Sequence, residues 1–154
     1  MADVKVFHGR PVIPGQVTAP ALVTHNGFNT LASFQKALLA KKTDAICSDQ
    51  NNIELFNKKM AGTALCLPQT IGSTTGGLVL HTACDMGANP ACMLFSQQID
   101  SLAAAGVVLA DIWSEHRIIA VDGLGEDFLN YVKDGMSVTV SSDGTVTVSN
   151  ELLV

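Results

Sequence analysis

Six small residues in a row, Gly72-Ser73-Thr74-Thr75-Gly76-Gly77, stand between an apolar run stopped by Pro68 and an apolar segment of helical character. A strand that leads through such a run into a helix leaves backbone amides unpaired at the helix start. No bulky side chain covers them, and the helix dipole favours negative charge there. The expected elements are a buried strand over 63–67 and a helix over 78–86 that Gly87 ends. Ser73, Thr74 and Thr75 add hydroxyls that can donate to a carboxylate or phosphate, or act as base or nucleophile if desolvated beside a cation. Ser and Thr also cap helices, and glycines permit close packing, so the run carries a structural reading beside the functional one.

Around this run strands and helices alternate. Residues 4–7 and 21–24 read as short strands, with Gly9, Pro11, Pro14, Gly15 and Pro20 punctuating the stretch between them. From Thr30 the residues Leu31, Phe34, Leu38 and Leu39 recur at helical spacing, with Asn29 or Thr30 to cap the first turn and Lys36, Lys41 and Lys42 near the far end. Residues 49–52 read as a polar loop and 54–60 as a short helix. Then follow a strand over 91–95, a helix over 99–105 ended by Gly106, and strands over 107–110 and 118–121. A helix over 127–132 precedes a hairpin of 136–140 with 145–148, turned by Asp143-Gly144. No repeat or composition shift marks a linker, so the expected fold class is α+β in a single domain over 1–154.

Of the 154 residues 47% are hydrophobic and 15% charged, enough to bury a core without disulfide or metal staples. The net charge of −5 and the lack of a basic run argue against a nucleic-acid partner. No apolar run approaches the roughly 18 residues of a membrane span, and Asp3 and Lys5 stand where a signal peptide would begin, so a cytoplasmic location is expected. Cys47, Cys66, Cys84 and Cys92 form no Cys-x-x-Cys pair and read as buried, reduced thiols; no metal site is expected on this chain. His8, His25, His81 and His116 share no ligand spacing. Asp49 and Asp122 are loop aspartates that suit a general base or a turn, and Trp113 suits a core plug or an interface anchor.

The segment Gly72-Ser73-Thr74-Thr75-Gly76, followed by Asn89-Pro90-Ala91, Ala104-Ala105-Gly106-Val107 and Asp134-Gly135, resembles the small subunit of aconitase X. Ala21-Leu22-Val23-Thr24 and the closing hairpin fit the same pattern, so the likeness spans about 130 residues. The resemblance implies a swivelling β/β/α domain like the mobile last domain of aconitase. It implies docking on the large catalytic subunit of aconitase X, which carries an iron–sulfur cluster. It also implies that Ser73 removes the proton α to a carboxylate in a dehydration, while Gly72, Thr74 and Thr75 hold the substrate. Activities of the family include dehydration of cis-3-hydroxy-L-proline and of mevalonate 5-phosphate, and the first is the expected substrate here, as a small-molecule hydroxy acid. Many members carry Ser-Phe followed by two glycines where this chain reads Gly27-Phe28-Asn29-Thr30-Leu31; Asn29 takes the place of a pocket serine, and Asp49 is a further pocket candidate.

Two other readings use the same residues. Gly76-Gly77-Leu78-Val79-Leu80-His81 resembles the glycine pair and histidine of phosphohistidine swivelling domains, which would make His81 a phosphoryl carrier, although Val79 and Leu80 stand where those domains place hydroxyls. A non-catalytic binding protein that has kept the fold is the other.

Overall fold

The computed structural model describes residues 3–153. In chain order its elements are β1 (Val4–His8), β2 (Arg10–Ile13), β3 (Val17–Val23), β4 (Phe28–Asn29), α1 (Thr30–Leu39), β5 (Ala64–Leu67), β6 (Thr70–Ile71) and α2 (Gly76–Asp85). They continue with β7 (Cys92–Phe95), α3 (Ser101–Trp113), β8 (Ile119–Asp122), α4 (Glu126–Tyr131), β9 (Met136–Val140) and β10 (Thr145–Leu152). Strands β3, β5, β7 and β8 are parallel neighbours in that order, joined by α1, α2 and α3 in turn. Crossovers of one hand between successive neighbours put all three helices on one face. Phe34 and Ala37 of α1, Leu80 and Ala83 of α2, and Val107 and Ala110 of α3 accordingly share one core with Leu65, Leu67, Met93 and Phe95.

The opposite face of the same strands is covered too. Ala64, Cys66, Cys92 and Leu94 meet Phe7, Phe128, Val138, Val146 and Val148, so β1, β9, β10 and α4 close over it. Burial on both faces explains why β5, β7 and β8 are apolar throughout instead of alternating. Strand β3 links the layers: Val17–Pro20 pair with β9, and Ala21–Val23 pair with β5. The full order is β1-β10-β9-β3-β5-β7-β8-β2, and its two ends are consecutive in the chain, joined at Gly9, whose N–H donates to the carbonyl of Gly144 at 3.0 Å. The result is the α+β fold of β/β/α layers expected from the sequence.

The structure differs from the expectations at four places. Residues 54–60 form turns, not a helix, because Asn57 has φ +66° and the segment bonds back to Cys47 (Cys47 N–H to Lys58 O and Asn57 N–H to Cys47 O, both 2.9 Å). Residues 99–105 and 107–110 are not a helix and a strand: α3 runs through Gly106 without interruption, capped at its start by Asp100, whose side chain accepts from Ala103 N–H. Gly106 is a contact with α2 and no terminator, since a Cβ there would stand 2.8 Å from the carbonyl oxygen of Gly77. The Pro-rich stretch after Gly9 holds β2, antiparallel to β8, with Pro11 tolerated because β2 lies at the end of the strand order. Finally, Trp113 ends a helix instead of a strand and is exposed. Gly87 ends α2 as expected, at φ +71°, and the Asp143-Gly144 hairpin turn is present.

Candidate active site

The short ribbon β4–β6 sets two helix starts side by side. Phe28 pairs with Thr70 and Asn29 with Ile71, and α1 and α2 begin immediately beyond. A Cβ on Gly76 would lie 3.6 Å from Cβ of Thr30, so the first turns of the two helices touch. The ribbon is held from a third element: Asp100, the cap of α3, also accepts from the backbone N–H of Thr70 at 2.8 Å and from its hydroxyl.

Within this frame Asn29 caps α1, its Oδ1 accepting from Ala32 N–H at 3.1 Å. The Asn29 amide packs against Gly72, whose absent side chain is what makes room: a Cβ there would stand 2.8 Å from Oδ1 and 2.9 Å from Nδ2 of Asn29. Gly72 also has φ +99°, a conformation that other residues rarely adopt. Ser73 is exposed, and its Oγ lies 2.9 Å from Oγ1 of Thr75 and accepts from Thr75 N–H at 3.2 Å. Thr74 and Thr75 are exposed with it, and no side chain caps α2. Amide and hydroxyl donors thus gather around one exposed oxygen, an arrangement suited to an anion and to a hydroxyl that must carry negative charge.

Ser73, Gly72, Thr74, Thr75 and Asn29 are therefore neighbours. Asp49 is placed apart, beside α1: it is 6% exposed, its Oδ1 accepts from Asn51 N–H at 3.0 Å, and Ser48 next to it donates to Ala32 O. Among the described residues no hydrogen bond joins Asp49 to Asn29 or to residues 72–75. Asp122 is a structural anchor instead of a free base. It is 2% exposed, binds the Arg10 guanidinium with both oxygens (2.9 and 2.7 Å) and accepts from Ile99 N–H. Burial would raise its pKa, but the Arg10 hydrogen bond, the Ile99 amide and the Arg10 charge hold the carboxyl below the usual carboxylate range. His81 lies inside α2, past its first turn, 3.6 Å from Asp85.

A second polar cluster supports the loop that carries Asn29. Glu54 Oε1 accepts from Thr24 Oγ1, His25 N–H and Asn26 Nδ2, and Oε2 lies 2.7 Å from His25 Nδ1. Burial pushes the Glu54 carboxyl up, and the hydrogen bonds from His25 and Thr24 outweigh it, leaving a net lowering. Glu54 carries no local signal in the sequence, because its partners are about 30 residues away; Asp100 carries the local mark of a helix cap, its bond from Ala103 N–H, and only its link to Thr70 is distant. Asp134 of the Asp134-Gly135 pair accepts from Val23 N–H and from Lys58 Nζ, so that motif ties β3 to the turn region.

Among the described residues no three His, Cys, Asp or Glu side chains come together to hold a metal. Cys47, Cys66, Cys84 and Cys92 are buried and unpaired, and burial pushes every one of their pKa values up, those of Cys84 and Cys92 to about 12, away from the thiolate that a metal needs. Among the described residues no helix is long and apolar enough to cross a membrane.

The family model described as "Aconitase X swivel domain" matches residues 6–148. The phosphomevalonate dehydratase small subunit of Aeropyrum pernix is 27% identical over 146 residues, 95% of each chain. That of Methanocella arvoryzae is 28% identical over 140 residues, 91% of this chain and 94% of its own. Among solved structures, Thermococcus kodakaraensis aconitase X in its holo form superposes with a TM-score of 0.77 at 22% identity, covering 94% of this chain and 98% of that one. A UPF0107 protein solved by NMR gives 0.73 at 25% identity, covering 97% and 100%.

Proposed function

Since the chain belongs to the aconitase X swivel-domain family, we propose that it is the small subunit of a two-chain hydro-lyase whose reacting base is Ser73. The observation that carries the reading is the Ser73 environment: an exposed hydroxyl that accepts an amide hydrogen bond, at the uncapped start of α2 and next in the chain to Gly72, against which the Asn29 amide packs. Each of those donors stabilises negative charge, on Oγ or on a substrate carboxylate held by residues 72–75. Among the described residues no hydrogen bond brings a cation to Ser73 and no group of His, Cys, Asp or Glu gathers to hold a metal, so we place the iron–sulfur cluster and any basic residue on the large partner. Closure of the site between two chains would exclude water and strengthen every one of these hydrogen bonds.

The substrate in this proposal is a hydroxy acid. Two relatives of the whole chain are named for phosphomevalonate, which favours mevalonate 5-phosphate over the cis-3-hydroxy-L-proline expected from the sequence. The donor-rich loop suits the carboxylate of either.

Co-expression with the large chain, co-purification and an absorbance assay for dehydration of both compounds test the reading. Turnover that the isolated small chain lacks is expected. Ser73→Ala should keep fold and assembly, because the side chain is exposed, and lower kcat by roughly a thousandfold, the scale of losing one key catalytic group. Full turnover by the reconstituted variant refutes the role of Ser73. Absence of turnover on both compounds refutes the substrate class.

A further inference from the structure

One imidazole stands between two acceptors. His25 lies in the turn between β3 and β4; its Nδ1 is 2.7 Å from Glu54 Oε2, and its Nε2 is 3.1 Å from the carbonyl oxygen of Leu129. A carbonyl oxygen can only accept. Burial raises the Glu54 carboxyl, but the bonds from His25 and Thr24 lower it further, so Glu54 is an ionised acceptor as well. A neutral imidazole has one N–H and one lone pair. It can donate to one of these neighbours and must set its lone pair against the other, whereas the imidazolium donates to both. Leu129 lies in the last turn of α4, where carbonyls have no helical N–H to accept from, and His25 supplies the missing donor.

The same loop reaches the site at its other end. Two residues beyond His25, Gly27 lies so close to Ile71 that a Cβ would stand 2.6 Å from Cγ2, and Phe28 N–H donates to Gln69 O at 2.9 Å. The loop therefore runs from α4 to β6, which leads directly into Gly72 and Ser73, and it continues into Asn29. The other charges near the ring are occupied. Lys58, Lys133 and Asp134 line the cavity that His25 faces; Lys58 binds Asp134 at 2.8 Å, and Lys133 Nζ donates to Asn130 O at 3.0 Å. On α4, Glu126 and Asp127 stand in the first turn, before Leu129, and Tyr131 packs with Phe7. The ring itself is exposed, so water can exchange its proton.

We propose that protonated His25 is a clasp that ties the last turn of α4 to the loop carrying Asn29, and that loss of its proton releases that loop. Hydrogen bonds to charged groups are the stronger ones. The neutral ring therefore keeps Nδ1–H on the Glu54 carboxylate and turns its Nε2 lone pair toward Leu129 O, which breaks the link to α4. The clasp is complete at acid pH and is lost as the pH rises. It needs neither partner nor substrate, so its test is separate from that of Ser73.

That test is an NMR titration of the native chain over about pH 5 to 8, the range in which imidazoles change charge. Ring nitrogen shifts report which nitrogens of His25 carry protons. Hydrogen-exchange protection, corrected for the intrinsic effect of pH, follows Val132 N–H at the end of α4 and Phe28 N–H at the start of β4. The expected result is an imidazolium at the acid end that loses its proton from Nε2. Protection of both amides should fall several-fold with the same midpoint, and His25→Gln should remove the pH response of both. A ring already neutral at the acid end, or one that loses its proton from Nδ1, overturns the proposal. So does a ring that titrates while both protections stay constant, or a pH response that survives in His25→Gln.

Discussion

Gly72 has two independent reasons to be glycine: its φ of +99° and the Asn29 amide that occupies the space of a side chain. Gly72→Ala should therefore cost about 1–3 kcal/mol, the scale of a residue held in an unfavourable backbone region, and displace the cap of α1. Urea unfolding measures the first and the exchange rate of Ala32 N–H the second; a variant as stable as the native chain would show that the loop relaxes freely. Asn29 itself fixes the start of α1 through its side-chain oxygen, which accepts from Ala32 N–H. At this scale the sequence was informative about residues 72–75, whose composition has few uses outside a strand-to-helix turn. It said little about Asp49, because a loop aspartate that closes its own turn looks the same as one that faces a pocket. Glu54 was illegible because its work is done across about 30 residues of chain, and so was the bond of Asp100 to Thr70, although its capping of α3 through Ala103 N–H is local.

At the scale of elements, α2 and α3 cross where Gly77 meets Gly106. A Cβ on Gly106 would come within 2.8 Å of Gly77 O, a backbone atom that cannot swing aside. Gly106→Ala gains up to about 1 kcal/mol of helix propensity but forces the helices apart at an overpacking cost of about 1–3 kcal/mol. Net destabilisation, seen as a lowered Tm, is the expected balance, and kcat of the assembled enzyme should fall because α2 carries the Ser73 loop; an unchanged Tm with an unchanged kcat would mean that the crossing has slack. The same contact explains why α3 was misread. A glycine followed by Val-Val-Leu-Ala carries the local marks of a helix end and a strand, and only the neighbouring helix, 29 residues earlier, distinguishes a contact from a stop. Elements with strong local signals, such as α1 with its Leu and Phe spacing and the final hairpin, were legible; β2, four residues long and holding a proline, was not.

Over the whole molecule, Arg10 and Asp122 join β2 to β8 at one end of the strand order. The folded pKa of Asp122 lies below its unfolded value of about 3.9, so its contribution to stability is complete above that pH and is lost as the pH falls through the folded value. Glu54 is shifted in the same direction and adds to the same acid limb. Unfolding free energy should thus be nearly flat from neutral pH to about 5 and decline below about 4, with a shallower decline in Asp122→Asn. An identical acid limb in that variant would remove Asp122 from the account.

Strands β1 and β2 are halves of one bent segment, five and four residues long, and they alone terminate the strand order. Exposed strand edges template aggregation, and short edges interrupted by charge or proline resist it. Here Lys5 and Pro11 lie on those two halves. On the two-chain reading proposed above, the chain has to stay in solution until its counterpart arrives, with apolar side chains of α3 such as Ile112 and Trp113 exposed in the meantime. The guarded edges limit the hazard to that helix, so supply of the two chains in balance, more than folding of this one, should govern how much of it stays in solution.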